Sequence, residues 1–208
     1  MTYGLVICSY KYGHLAAHAI ETALAQTKPF DKIWFVDDGV GDCAELPLFY
    51  RDKVNFVLRN YNMGIVANFN DMLQKADTDY VMFLGADNWL RSDTLQQLAP
   101  YTENHDIVTY DIVVTGELKN DIYKNYAHAM TPINGDYYWS RKMQHHGSML
   151  YNTKLAKSVG GYAHNRTSDK TDEDLNLWDK MNKAGARVAH CEQGLLFYRR
   201  HKENFNKY

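Results

Sequence analysis

The sequence predicts one α/β domain, a three-layer α/β/α sandwich around a mostly parallel central sheet. Two observations lead to it. Short apolar runs alternate with segments of helical apolar spacing across short connections, the pattern of right-handed strand–helix–strand units. Apolar runs also end abruptly in acids: Val36 is followed by Asp37-Asp38-Gly39, and Leu84 by Gly85-Ala86-Asp87-Asn88. Open α/β sheets collect ligands at the carboxyl ends of their strands, so these acids are expected outside the core, as turn or site residues.

Each element has its own signal. Leu5-Val6-Ile7-Cys8 reads as a buried strand, Ser9 to Gly13 as a loop, and residues 14–26 as a helix with Leu15, Ala19, Ala23 and Leu24 on one face. Residues 33–36 and 54–58 give two more strands. Asn62-Met63-Gly64 introduces a helix over 65–75 with Phe69, Met72 and Leu73 inward, and residues 80–84 form the next strand. Ser92 is expected to cap a helix carrying Leu95 and Leu98. Residues 107–114 are β-rich, whereas 118–144 are polar and aromatic with little periodicity. Residues 147–151 read as a strand, 152–158 as a helix stopped by Gly160-Gly161, 171–184 as a helix closed by Gly185, and 195–199 as a late strand.

Bulk properties narrow the function classes. The chain has 208 residues, a size for one domain, and a formal net charge of -2, which provides no global attraction for nucleic acid or anionic membrane. The three cysteines, Cys8, Cys43 and Cys191, lack metal-type spacing and point to buried thiols in a reducing compartment. No apolar run approaches the roughly 20 residues that cross a bilayer. A soluble, cytoplasmic protein without stable membrane insertion is expected.

Three acidic sites carry the chemistry: Asp37/Asp38, Asp87, and Glu173-Asp174 at the opening of a helix. Taken singly, each also reads as a turn or a first-turn helix acid. A carboxylate beside an amide at a sheet edge suits a hard divalent cation, which completes its shell with water and substrate phosphates and so would hold a nucleotide diphosphate. Ser9-Tyr10-Lys11-Tyr12-Gly13-His14 is not a glycine-rich phosphate loop, which argues against a dinucleotide-dependent oxidoreductase or a sugar nucleotidyltransferase.

In order and spacing these segments resemble glycosyltransferase family 2, the inverting transferases of the GT-A fold. The resemblance covers about residues 4–100 and 146–204. It is carried by Val6-Ile7-Cys8-Ser9-Tyr10, the helix from Ala19 to Thr27, Val36-Asp37-Asp38-Gly39, and Asn62-Met63-Gly64. It continues in the run from Tyr80 to Trp89, Gly147 to Tyr151, Glu173-Asp174-Leu175-Asn176-Leu177-Trp178, and Tyr198-Arg199-Arg200-His201. It implies a GT-A-type sandwich over residues 1–208, with about 1–100 as the nucleotide-sugar-binding half and about 101–208 as the acceptor and catalytic-base half.

On matching residues, the resemblance implies nucleoside contacts from Ser9 and Asp38 and a pocket closed by Asn62 and Gly64. Asp87 would anchor the nucleotide-sugar through Mn²⁺ or Mg²⁺, with His201 completing the shell, and Asp174 would be the catalytic base. Gly85 stands where many relatives carry a further acid, and Asn88 where they often carry another. Trp178, four residues beyond Asp174 on one helix face, and His146 are the expected acceptor contacts. The aromatic-rich middle, with Tyr123, Tyr126, Tyr137, Tyr138 and Trp139, is expected to add to that surface. The implied reaction transfers a sugar, UDP- or TDP-linked, to a glycan, lipid-linked or other hydroxyl; near-neutral charge disfavours a nucleic-acid acceptor. A non-catalytic nucleotide-sugar or glycan-binding module on the same fold is the alternative.

Overall fold

The computed structural model describes residues 1–140, 149–164 and 173–204. The first half runs β1 (Tyr3–Ser9), α1 (Gly13–Leu24), β2 (Lys32–Asp37), α2 (Leu46–Tyr50), β3 (Asn55–Leu58), α3 (Ile65–Lys75), β4 (Tyr80–Gly85), β5 (Trp89–Leu90) and α4 (Thr94–Leu98). The second half runs β6 (Ile107–Thr115), α5 (Lys119–Tyr126), β7 (Met130–Ile133), β8 (Asp136–Trp139), β9 (Leu150–Asn152), α6 (Thr153–Ser158), α7 (Glu173–Lys183) and β10 (Val188–Arg199). One sheet has the order β3-β2-β1-β4-β9-β6-β10-β5, with the β7–β8 hairpin joined to β6. Pairing is parallel from β3 to β4 and between β6 and β10, and antiparallel at β9, β5 and the hairpin.

Period-two alternation divides the core into two layers. Leu5 and Ile7 of β1, Phe35 of β2, and Met82 and Leu84 of β4 point to one face, covered by Ala16, Ala19, Ile20 and Ala23 of α1 and by Leu95 and Leu98 of α4. Val6, Trp34, Val36, Val81 and Phe83 point to the other, covered by Met72 and Leu73 of α3, Ala156 of α6, and Leu177 and Met181 of α7. Each fully buried large apolar side chain contributes roughly 1.5–3 kcal/mol, so a one-residue slip in register would exchange both layers at once.

Parallel register aligns the strand ends that matter. Ser9 pairs with Asp37, Cys8 with Gly85, and Asp37 with Leu58. The polar residues after β1, β2, β3 and β4 therefore emerge at one edge of the sheet. Arg59 fastens that edge to α3: its backbone N–H donates to Asp37 O at 3.1 Å, Nε to Asn68 Oδ1 at 2.9 Å, and Nη2 to Asp71 Oδ2 at 2.6 Å.

The structure departs from expectation in four places. The described part of the 118–144 segment, up to residue 140, holds α5 followed by the β7–β8 hairpin, whose two-residue connection Asn134-Gly135 has positive φ at both positions, the turn that matches strand twist. The rings of this segment pack on one another, Tyr123 on Tyr137 at 4.1 Å and Tyr126 against Trp139 at 5.0 Å, where no periodicity in the sequence pairs them. Asp93, not Ser92, precedes α4, because Thr94 turns its hydroxyl back to Arg91 O. The late strand begins at Val188, with irregular register between Cys191 and Leu196.

Gly39 has φ +82°, and a Cβ there would lie 2.1 Å from the Tyr61 carbonyl carbon; Gly41 has φ +81° but open space around it. Replacing Gly41 with Ala is expected to cost about 1 kcal/mol from backbone conformation alone, and Gly39→Ala about 3 kcal/mol or more, because backbone must move. Urea midpoints at unchanged slope measure the difference. A second expectation concerns Asp71. Burial alone would raise its carboxyl, but hydrogen bonds from Lys75 and Arg59 outweigh this and hold it below the usual range. A depressed folded value stabilises the fold above the unfolded carboxyl value of about 3.9 and ceases to do so as pH falls through the folded value. Asp71→Asn is therefore expected to lose about 1 kcal/mol at pH 7, with the gap to wild type closing on acidification below about pH 4, as followed by urea unfolding against pH.

Candidate functional site

The nucleoside side of the edge is built from β1, β2 and the two following loops. Asp37 is a turn residue: its carboxylate accepts from the N–H groups of Val40 at 3.1 Å and Gly41 at 2.8 Å. Asp38, 4% exposed, accepts from Met63 N at 3.0 Å, and Arg59 Nε lies 3.7 Å from the same Oδ1. Asn62 closes an Asx turn by accepting Gly64 N–H at 2.6 Å, while Gly64 at φ +79° lets the chain enter α3. Ser9 is buried, with the Cys43 thiol 3.6 Å from its hydroxyl.

Asp37, Asp42 and Cys43 bring ligand atoms within 4.8 Å of one another, among the described residues. Their donors are already committed to loop structure. Asp42 accepts Gly13 N–H at 2.9 Å, and burial, joined by the nearby Asp42 and Asp37 carboxylates, pushes the Cys43 thiol up to about 12. Through these bonds the group closes the 37–43 loop over β1.

Asp87 forms a second centre, and it is buried, at 6% exposure, rather than outside the core. Burial is tolerated because both oxygens have partners. Asn88 Nδ2 donates to Oδ1 at 3.0 Å, Asn204 Nδ2 donates to Oδ2 at 3.0 Å, and His201 Nε2 lies 3.3 Å from Oδ2. Asn88 also accepts Arg199 N–H at 2.9 Å, and Arg199 Nε donates to Asp87 O at 3.1 Å while its guanidinium sits 4.7 Å over the Trp89 ring. The end of β10 is thus tied to the end of β4. Gly85 makes the arrangement possible, since a Cβ there would come within 2.7 Å of Asp87 Oδ1.

The donor set suits a divalent cation. A carboxylate oxygen and an imidazole nitrogen 3.3 Å apart can share one ion, and an ionised carboxylate retains lone pairs beyond those used by the amides. A cleft of about 600 Å³ adjoins His201, bounded by His14, Trp89, the Thr115–Glu117 turn and the 199–203 segment. Its size is that of a small-molecule site. None of Asp38, Asp87 and Asp174 lines it.

Asp174 opens α7 and accepts Leu175 N–H at 2.7 Å. Its carboxylate is near enough to Tyr162 to add to the upward push on that phenol, which comes mainly from burial and then from Tyr151. Tyr162 packs on Phe83 of β4 at 5.5 Å, in the core layer that also holds Leu177 and Met181 of α7. Trp178 is half-buried against the same core layer. His146 lies outside the described residues. Burial also raises the thiols of Cys8 and Cys191, as it does Cys43, so the cysteines are not nucleophiles at neutral pH. Reasoning from sequence did not pick out Asn204 or the part played by Asn88 and Arg59. An amide or guanidinium has no motif of its own until its partners are known.

Comparison with known proteins agrees with this architecture. Residues 5–170 match the family described as Glycosyl transferase family 2. An uncharacterized glycosyltransferase of Mycoplasma pneumoniae is 28% identical over 122 residues, spanning 55% of this chain and 40% of that protein. S. aureus TarS residues 1–349, solved with UDP-GlcNAc, superposes with a TM-score of 0.75 at 17% identity, covering 98% of this chain and 60% of that one. The mannosyltransferase PcManGT of Pyrobaculum calidifontis, solved with GDP-Man and Mn²⁺, gives a TM-score of 0.71 at 16% identity over 98% of this chain and 58% of its own. The chain thus spans about 40% of the curated relative's length, and the solved structures, at this identity, show a shared GT-A-type fold. With a match over most of its length and the acids of its strand ends gathered at one edge, the chain belongs to glycosyl transferase family 2.

Proposed function

We propose that the protein transfers a sugar from a nucleotide-diphosphate sugar, UDP- or TDP-linked, to an acceptor hydroxyl with inversion. Residues 1–100 would form the donor half and 101–208 the acceptor and base half. The observation that carries the reading is the convergence at one sheet edge of Asp38, Asp87 and His201, from strands that belong to both halves. Relatives support its class: the TarS structure holds UDP-GlcNAc, and the mannosyltransferase structure holds GDP-Man and Mn²⁺.

Each residue has a role that follows from its surroundings. Asp38 has Oδ1 engaged by Met63 N–H, and its Oδ2 accepts the N–H of a pyrimidine base. Ser9, Asn62 and Gly64 shape the nucleoside pocket around it. Asp87 and His201 hold the divalent cation, which when bound offsets charge on the departing diphosphate. Arg199, His201 and Lys202 border the adjoining cleft and present donors to phosphate oxygens. Asp174 takes the acceptor hydroxyl proton as that oxygen forms its bond to the anomeric carbon and the carbon–diphosphate bond breaks, so one displacement inverts the centre. Trp178, on the Asp174 face of α7, and His146 would contact the acceptor: a glycan, lipid-linked saccharide or other hydroxyl compound.

Asp174→Asn is expected to leave the Kd for the donor within about threefold of wild type while lowering kcat by about 10²–10⁴-fold; titration calorimetry and a sugar-transfer assay over a panel of nucleotide-sugars read the two separately. Unchanged turnover would remove Asp174 from its role. A binding module without activity would bind a donor from the panel yet turn over none of them. Excess chelator is expected to abolish transfer and Mn²⁺ to restore it, and full activity in chelator would dissociate Asp87 and His201 from any cation.

A further inference from the structure

Asn204 sits at the meeting point of the two ends of the cation pair. It is 4% exposed, and its amide uses every hydrogen-bonding valence it has. Nδ2 donates to Asp87 Oδ2 and to Arg199 O, each at 3.0 Å, while Oδ1 accepts His201 N–H at 2.7 Å and Arg200 Nη1 at 3.1 Å. Its own N–H closes the turn back to His201 O at 3.2 Å. One side chain therefore fixes the backbone of His201 and the carboxylate of Asp87, residues 114 apart in sequence, relative to each other.

We propose that Asn204 is a positioning residue that joins Asp87 and His201 into one cation-binding pair; the proposal rests on the cation reading above. Geometry gives the reason for an amide. A carboxylate at 204 could still accept from His201 N–H but would set its oxygens against those of Asp87, and an apolar side chain would take the amide donor from the buried Asp87 Oδ2. The amide bonds both without adding charge. Tyr12 supports the arrangement from the other side, with its ring 5.5 Å from that of His201 and its hydroxyl donating to Glu203 O at 3.1 Å. The imidazole is thus braced on one side by an aromatic edge and through its backbone by the amide. Partners that orient metal ligands in this manner typically change metal affinity by about 10–100-fold when removed.

The test is Mn²⁺ binding without donor, read from the electron paramagnetic resonance of free Mn²⁺, in the full chain and its Asn204→Ala, His201→Ala and double variants. Asn204→Ala is expected to weaken Mn²⁺ binding about 10–100-fold while the chain still melts cooperatively without metal. In the His201→Ala background the same change is expected to cost no more than about threefold, because the two residues act as a unit. An unchanged Mn²⁺ Kd in a folded Asn204→Ala protein, or losses that multiply in full, would overturn the proposal. Should the Ala variant fail to fold, Asn204→Ser, which keeps an acceptor but shortens the reach to Asp87, is expected to weaken binding several-fold, roughly between wild type and the loss typical of removing such a partner; wild-type affinity there would overturn the proposal equally. Wild-type Mn²⁺ binding by Asp87→Asn would separately refute the cation assignment and take the proposal with it.

Discussion

A carboxylate removed from water must have hydrogen-bond donors on its oxygens, and the functional edge of this protein is organised around meeting that demand at Asp87. The residue follows a strand whose side chains from Tyr80 to Leu84 are all buried, so it cannot retreat to solvent without breaking the end of β4. Its amide donors come from Asn88 beside it and from Asn204 far along the chain, with the His201 ring against the same oxygen as Asn204. Satisfying one charge thus closes the sheet: β10 must run on to Arg199 and turn at 201–204 for the donors to arrive. The short strand β5, paired with β10 through Leu90 and Trp89, is a consequence of the same closure.

The two core layers make this closure reproducible. Residues facing α1 and α4 alternate with residues facing α3, α6 and α7 along β1, β2 and β4, and each layer would be lost if a strand slipped by one position. Register fixed by apolar burial therefore fixes where the polar strand ends emerge. Ser9 falls level with Asp37, and Cys8 with Gly85, because Ile7 is held level with Phe35 and Leu84. Function at the edge depends on packing in the middle.

The first half of this architecture is readable in the sequence, since strands of four to six apolar residues and helices with one apolar face carry strong local signals. Helix α3 spans Ile65–Lys75, the residues its periodicity predicts. The second half is harder for physical reasons. Helix α5 has few apolar residues and hides Ile122 alone. The hairpin after it carries a local sign, Asn134-Gly135 between β-prone residues, set in a polar, aromatic stretch without periodicity. At the site, acids at strand ends stand out because a charge after an apolar run is conspicuous. Asn204 does not, since its importance arises only when residue 204 lies against residue 87. The burial of Asp87 was likewise hidden, because burial depends on donors supplied from elsewhere in the chain.

The amide bracket also bears on how a cation and a diphosphate would share this edge. Amides at positions 88 and 204 orient the single carboxylate without adding negative charge, whereas further acids would strengthen cation binding and repel a diphosphate at the same time. On the proposed reading, with one carboxylate and one imidazole as protein ligands, much of the negative charge around a bound ion would come from the diphosphate itself. Cation and donor would then raise each other's affinity by the same factor, as any two linked ligands must. Gly85 belongs to this logic as well: without a side chain it leaves room for Asp87 to lie against the strand end, and an acid in its place would meet the Asp87 carboxylate directly. The departures from a more acidic edge are thus coupled, each making sense because the others are present.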